Sequence, residues 1–177
     1  METIRECNAH VLASFPIHLV ASFVTSIVQA GVLAYRSDAE GSLQILLITS
    51  RKRGRWTIPK GLVGLRLDPR SAARIEAQEE AGISGKVSAE PLGTYEYRKK
   101  WYAKCEVSVY AMRVTTQEAD WPERHMRKRK WFEPQDAVAA IQRKSLRRFV
   151  KGALARLTQA DEPAGTRRST ALPHFQP

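Results

Sequence analysis

Short apolar runs separated by polar turns dominate the middle of the chain. The run LQILLITS, residues 43–50, follows the turn residues Ser-Asp-Ala-Glu-Gly, and the apolar segment 27–35 precedes that turn. Runs of this length bounded by turn residues are typical of buried strands, and two of them joined by a tight turn form a hairpin. The pattern therefore predicts that these two segments are paired core strands.

A helix is predicted over residues 69–81. Asp68 precedes Pro69, and an aspartate can cap the free N–H groups of a first turn in which proline is tolerated. Gly82 is a matching stop, because glycine readily adopts the left-handed conformation that ends many helices. Over residues 145–157 apolar positions again recur at helical spacing, which predicts a second helix with one side packed on the domain.

The segment 10–35 contains no Lys, Arg, Asp or Glu, so a membrane span or a secretion signal has to be weighed. Pro16 interrupts the run, and its second half is equally well explained as a core strand. Glu2 and Glu6 nearly cancel Arg5, whereas a secretion signal needs a net positive charge. We therefore expect an N-terminal extension of uncertain order and no membrane contact.

Length and cysteine content limit the domain organisation. A chain of 177 residues accommodates one compact domain, which we assign to 27–158, after an extension over 1–26. Residues 159–177 are rich in Pro, Gly, Thr and Arg, which predicts a disordered tail. Two cysteines without CxxC spacing indicate neither a disulfide framework nor a zinc site, and favour the reducing cytoplasm. The sequence makes no prediction of oligomeric state.

The chain is strongly basic, with 29 Lys and Arg against 18 Asp and Glu and a net charge of +11 at pH 7. Such a surface attracts anions, whether nucleic acid, acidic lipid or a phosphate-rich small molecule. Charge alone does not choose among these partners.

Three carboxylates share one face of the predicted helix. At 100° per residue, Glu76, Glu79 and Glu80 fall within about 100° of one another, so like charges are crowded together. A structural helix would normally interleave them with Lys or Arg, whereas a hard divalent cation such as Mg²⁺ would remove the repulsion. A solvated acidic face is the alternative, and the spacing alone leaves both interpretations open.

The stretch around these glutamates resembles the signature box of the Nudix hydrolases, whose pattern is Gly, five residues, Glu, seven residues, Arg-Glu-aliphatic-any-Glu-Glu-any-Gly-aliphatic. The sequence aligns with it without gaps, and the matching residues are Gly61, Glu76, Glu79, Glu80, Gly82 and Ile83.

Two positions depart from the box. Leu67 stands in place of the first glutamate, and Ile75 in place of the arginine that helps to orient the paired glutamates in the family. Arg74 is adjacent, but one residue turns it ~100° around the helix, so it cannot simply substitute. We expect an impaired or re-tuned site rather than a dead one.

The resemblance extends beyond the box and covers about residues 28–157. WTIPKG, residues 56–61, is similar to the lead-in of the branch that cleaves diphosphoinositol polyphosphates and dinucleoside polyphosphates, and of its bacterial relatives. Residues 85–114 resemble a strand, a basic turn and another strand of that branch, and 120–141 resemble its basic loop, Trp-Phe strand and short helix. The resemblance implies an α/β fold, an α/β/α sandwich around a mixed β-sheet.

The resemblance also implies a chemistry, the Mg²⁺-dependent hydrolysis of a phosphoanhydride bond in a nucleoside polyphosphate, a dinucleoside polyphosphate or an inositol pyrophosphate, with Mn²⁺ as an alternative metal. Glu76, Glu80 and the Gly61 carbonyl would hold the metal, and Glu79 completes the catalytic carboxylates. An acidic residue outside the box often acts as base or ligand in this fold, and the unranked candidates here are Glu118, Asp120 and Glu123.

Basic residues near the box are candidates for binding substrate phosphates, with solvated surface as the alternative for each. They are Arg51, Arg53, Arg55, Lys60, Arg98, Lys99 and Lys100. Two rival functions stay open. The departures from the box favour a catalytically silent module that binds a phosphorylated ligand, and the net charge favours a nucleic-acid partner, including an enzyme acting on RNA 5′ ends. The second rival is less favoured, because no recognised nucleic-acid motif is present.

Overall fold

A computed structural model describes residues 25–100 and 103–160, with side chains for 26–98 and 103–157. Most of the predicted N-terminal extension and of the predicted C-terminal tail lies outside these residues, so the proposed division into extension, domain and tail stays a prediction.

Eight strands and three helices make up the described chain. The strands are β1 Thr25–Ser37, β2 Leu43–Thr49, β3 Trp56–Thr57, β4 Lys60–Leu62, β5 Ile83–Val87, β6 Gly93–Lys100, β7 Ala103–Gln117 and β8 Arg129–Phe132; the helices are α1 Pro69–Ala81, α2 Pro134–Ala140 and α3 Lys144–Ala160. The predicted hairpin is confirmed as β1 and β2, which pair antiparallel. The first strand is longer than the predicted 27–35 by two residues at each end.

All eight strands join one mixed sheet with β1 and β7 at its centre. These two strands run parallel over eleven residue pairs, from Thr25↔Ala103 to Tyr35↔Arg113. The other edge of β1 pairs with β4 through residues 29–31 and with β2 through residues 35–37. This arrangement brings β4, the strand that contains Gly61, beside the middle of the sheet.

Alternating residues of the central strands face two separate cores. One core lies between the sheet and α2 and α3, and its members include Leu33, Ile45, Val107 and Leu146. The other lies between the sheet and α1, where four alanines of the helix meet strand residues such as Val32. Side chains of a strand point alternately to its two faces, so a fully buried sheet supplies both cores. The predicted α/β/α sandwich around a mixed sheet is confirmed.

Helix α1 begins and ends at the residues that its sequence signals predict. The Asp68 carboxylate accepts a hydrogen bond from the Ser71 backbone N–H at 3.0 Å, and Pro69 is the first helical residue. Gly82 adopts φ 58° and ψ 42°, and its N–H donates to backbone carbonyls of the last turn. These caps fix both the length of the helix and the orientation of its glutamates relative to β4.

Helix α3 packs its apolar side on the domain, as its spacing predicts, with Leu146, Val150, Ala153 and Leu157 buried. Among the residues that the structure describes, no helix is both long enough and apolar enough to span a membrane.

Candidate active site

Strand β4 and helix α1 meet at the carboxylates of the signature. The backbone N–H of Lys60 donates to Oε2 of Glu80 at 2.9 Å, which ties the strand to the helix across 20 residues of sequence. Gly31 and Ala30 of the central strand β1 pair with Lys60 and Gly61 of β4, respectively. This pairing fixes the position of β4 beside β1 in the sheet. The box therefore folds into one unit in which the helix presents its glutamates to the strand.

Gly61 is required because the carboxylate of Glu76 lies against it. A Cβ atom at position 61 would collide with both carboxylate oxygens of Glu76 and with its carboxyl carbon. Glycine is the residue that lets a backbone approach another group this closely. The Gly61 backbone and the Glu76 carboxylate thus form a compact set of oxygen donors.

Glu80 is buried and held from two sides. Its Oε2 accepts from the Lys60 N–H, and its Oε1 accepts from Nη2 of Arg127. Burial raises the pKa of Glu80, an effect that the Lys60 N–H and the Arg127 charge oppose. Glu80 and Arg127 are the only charged residues that are buried in the described part of the chain.

The carboxylates crowd one another electrostatically. Burial, followed by the charges of Glu80, Glu79 and Glu123, raises the pKa of Glu76 to about 7. Burial and the neighbouring like charges both disfavour the ionised form of Glu76 in the folded protein. A bound divalent cation would favour the ionised form.

Of the three acidic candidates outside the box, Glu123 lies next to Glu79 and Arg127. Its N–H donates to the Glu79 carbonyl at 3.2 Å, and its carboxylate contacts Arg127. Glu118 and Asp120 instead line an open groove of about 680 Å³ whose lining residues include none of the box carboxylates. Glu79 itself is exposed to solvent on the helix surface.

A group of cationic side chains converges on Tyr97 next to the carboxylates. The Lys60 ammonium lies 5.3 Å from the centre of the Tyr97 ring, and the Arg143 guanidinium lies 4.1 Å from it. The hydroxyl of Tyr97 donates to Oε1 of the buried Gln29 at 2.7 Å, which fixes the ring. Burial lowers the pKa of Lys60, Glu80 raises it, and Arg143 lowers it again. Two cationic side chains thus lie against one aromatic ring beside the carboxylates.

A family model described as the NUDIX domain matches residues 27–153, more than half of the chain. This chain belongs to the Nudix family. It is 35% identical over 112 residues to Nudix hydrolase 13, mitochondrial, of Arabidopsis thaliana, covering 57% of this chain and 54% of that protein. It is 34% identical over 116 residues to diphosphoinositol polyphosphate phosphohydrolase 3-alpha of Homo sapiens, covering 64% and 68% respectively. The resemblance inferred from the signature is confirmed.

Solved Nudix structures share the fold. The described chain superposes on a crystal structure of a C. elegans Ap4A hydrolase with a TM-score of 0.59 and 25% identity, covering 75% of this chain and 98% of that one. The chain spans about half the length of the plant Nudix relative and about two thirds of the human one.

The two departures from the Nudix signature lie on the protein surface. The side chains of Leu67 and Ile75 are 43% and 41% exposed. Ile75 offers no charge to the glutamates of its own helix. The guanidinium that contacts Glu80 comes instead from Arg127, in the loop between β7 and β8.

The predicted phosphate-binding residues of this Nudix domain occupy different environments. Arg51 forms an ion pair with Glu123 at 3.3 Å, and Arg53 and Arg55 are exposed in the turn after β2. Arg98 is exposed on β6, and the side chains of Lys99 and Lys100 lie outside the described ones. Lys60 lies beside the box carboxylates, since its backbone N–H donates to Glu80.

The oxygen atoms that the site presents are of the kind that bind a divalent cation. No group of three or more His, Cys, Asp or Glu side chains stands at metal-holding distance within the described residues. The donors that converge are the Glu76 carboxylate, the backbone at Gly61 and the Glu80 carboxylate, all of them hard oxygen ligands. Burial and the neighbouring carboxylates raise the pKa of Glu76, and a divalent cation at this Nudix site would oppose that effect.

Proposed function

We propose that this chain is a Mg²⁺-dependent Nudix pyrophosphohydrolase that cleaves a phosphoanhydride bond in a nucleoside polyphosphate, a dinucleoside polyphosphate or an inositol pyrophosphate. The observation that carries the proposal is the seating of the Glu76 carboxylate on Gly61 beside the buried Glu80. The names of the human relative and of the C. elegans structure support this range of substrates.

Glu76, Glu80 and the Gly61 carbonyl would hold the cation. When bound, Mg²⁺ neutralises charge on the phosphate oxygens and lowers the pKa of a bound water. Glu80 is fixed by its two hydrogen bonds, so it provides a ligand of defined orientation. Glu79 is exposed and Glu123 is half-buried beside it, and we propose that these two carboxylates orient the attacking water.

Lys60 and Arg143 supply the substrate side of the site. A polyphosphate that placed one phosphoryl group at the carboxylates would extend its next phosphate toward the two cations that face Tyr97. The arginine fork suits bidentate contact with phosphate oxygens, whereas lysine acts as a point charge. Arg143 was missed in the sequence because it lies between two helices, far from the box, and no local pattern marks it.

The Arg143→Gln variant is expected to raise KM for a polyphosphate substrate about tenfold and to leave kcat within about twofold, because one charge-assisted contact away from the reacting bond is lost. Steady-state kinetics at constant ionic strength measures this effect. Arg148→Gln on the exposed side of α3 removes the same charge and is the matched control. Equal KM values for the two variants would remove Arg143 from the substrate site.

The experiment that tests the proposed function is phosphorus NMR of the products formed from a panel of substrates. The panel contains diadenosine polyphosphates, nucleotide sugars, nucleoside triphosphates, inositol pyrophosphates and a 5′-triphosphorylated RNA, each with Mg²⁺, with Mn²⁺ and with EDTA. Metal-dependent cleavage by the wild type that is lost in Glu76→Gln is expected. Ligand binding without cleavage would instead establish the silent module that Leu67 and Ile75 favour.

The nucleic-acid alternative has its own outcome in that panel. Turnover of the RNA with indifference to small polyphosphates would assign the site to RNA 5′ ends. Salt-sensitive binding of long RNA would add to that assignment, because phosphate contacts release counterions.

We propose a cytoplasmic location on the basis of the cysteine content, and fractionation of the expressing cells tests it.

A further inference from the structure

Arg127 is anchored more completely than a surface arginine. It lies in the loop between β7 and β8, yet its side chain is only 6% exposed. Its guanidinium donates from Nη2 to Oε1 of Glu80, from Nε to Oε2 of Glu123 at 2.5 Å, and from Nη1 to the Thr49 carbonyl at 2.9 Å. Three acceptors from three different parts of the chain therefore fix the plane of one guanidinium.

The consequence for Glu80 is a single orientation. The Arg127 bond occupies one side of its carboxylate and the Lys60 N–H occupies the other, so rotation would break both bonds. Glu123 is held in the same way, because Arg51 binds its second oxygen at 3.3 Å. Hydrogen bonds from outside a metal site onto its ligands orient those ligands.

No arginine or lysine of helix α1 holds these carboxylates. Arg70 donates to the Val87 carbonyl, and Arg74 is exposed. Arg129, two residues after Arg127, contacts the carbonyls of Ala81, Gly82 and Glu118 and stacks on Trp121, without reaching a carboxylate of the box.

We infer that Arg127 is a positioning residue for the proposed hydrolysis. Its guanidinium fixes the orientation of Glu80, the proposed cation ligand, and of Glu123, the proposed partner of the attacking water, although it belongs to a loop distant in sequence from the box. The inference rests on the proposed function. It makes the β7–β8 loop part of the machinery, because a displacement of that loop would release Glu80.

The test is Mn²⁺ binding to the metal-free chain of 177 residues, followed by electron paramagnetic resonance of free Mn²⁺. Arg127→Met removes the charge and keeps the length of the side chain, and Arg127→Lys keeps the charge without the three-way fork. Arg129→Met is the matched control, since Arg129 is a neighbouring arginine whose contacts are to backbone carbonyls and an aromatic ring. Circular dichroism establishes that each variant is folded.

Arg127→Met is expected to weaken Mn²⁺ binding about tenfold or more, Arg127→Lys about threefold or more, and Arg129→Met not measurably. For the same Arg127 variants kcat is expected to fall while KM for the substrate is unchanged, a split that a merely structural role would not produce. If Arg127→Met does not fold, the lysine variant decides.

Wild-type or tighter Mn²⁺ affinity in the folded Arg127 variants would overturn the inference and leave the proposed function standing. Failure of the wild type itself to bind Mn²⁺ would overturn both, so the two failures are distinguishable.

Discussion

The Glu76→Gln variant is expected to lower kcat about a thousandfold, because an amide binds a divalent cation far more weakly than a carboxylate does. This loss corresponds to about 4 kcal/mol of transition-state stabilisation. The same variant is expected to be more stable than the wild type in the absence of metal. Kinetics with Mg²⁺ and thermal unfolding in EDTA measure the two effects on one preparation.

The gain in stability follows from the raised pKa of Glu76, about 7 against an ordinary value of 4.5. An acid whose pKa is higher in the folded than in the unfolded protein destabilises the fold as the pH rises between these two values. Glutamine carries no charge, so the difference in stability is expected to be small at pH 4 and to reach about 1 to 2 kcal/mol at pH 8, allowing for solvent screening. Equal unfolding temperatures of Glu76→Gln and the wild type at pH 8 would contradict the destabilisation of the fold by the ionised Glu76 carboxylate.

Glu76 is a better choice for this experiment than Glu80. Glutamine at position 80 would leave the buried guanidinium of Arg127 without the carboxylate that neutralises it. Breaking one partner of a buried ion pair costs about 3 to 5 kcal/mol, so a loss of activity could then reflect a loss of structure.

The Gly61→Ala variant is expected to lower kcat about a hundredfold with little effect on stability. The added methyl group would occupy the space of the Glu76 carboxylate, which must rotate away from the backbone of β4. A displacement of about 1 Å in a catalytic site can cost this much in rate, whereas the end of a flexible side chain moves at low cost in stability. Kinetics and thermal unfolding of the alanine variant measure both quantities.

Two controls isolate the collision. A methyl group at Gly64, in the same segment, would meet only Cδ1 of Leu67 at 3.7 Å, so Gly64→Ala is expected to keep the wild-type rate. In the Glu76→Gln background, Gly61→Ala is expected to add little further loss, because the carboxylate that it displaces is already gone. If the two substitutions instead lower kcat by factors that multiply in the double variant, Gly61 acts through something other than Glu76.

Local sequence patterns predicted four of the eleven elements of the described chain, namely β1, β2, α1 and α3, and the family resemblance indicated most of the others. The Asp68 and Gly82 signals predicted both ends of α1 correctly, because capping depends on residues only a few positions apart. The eleven parallel pairs between β1 and β7 join segments about 78 residues apart, and alternation along a strand does not identify such a partner.

The same distinction separates the residues of the site. Gly61, Glu76 and Glu80 follow a signature of fixed spacing, whereas Arg127 and Arg143 approach them only after the chain folds. The four residues of the run RKRK, which begins at Arg127, look alike in the sequence. In the structure Arg127 is buried in an ion pair with Glu80, whereas the next residue, Lys128, is exposed. A charge run does not reveal which member is paired, because pairing is a property of burial.

The buried face of α1 is made of small side chains, and this limits how the protein can change. Ala72, Ala73, Ala77 and Ala81 set the distance between the helix and the sheet, and hence the distance between Glu76 and Gly61. A larger residue at any of them would lift the carboxylates from β4, even if the core repacked without loss of stability. The opposite core, beneath α2 and α3, contributes none of the box carboxylates, because all three belong to α1, so its packing limits their position less directly. Sequence variation among functional descendants of this chain should therefore be unequal on the two sides of one sheet.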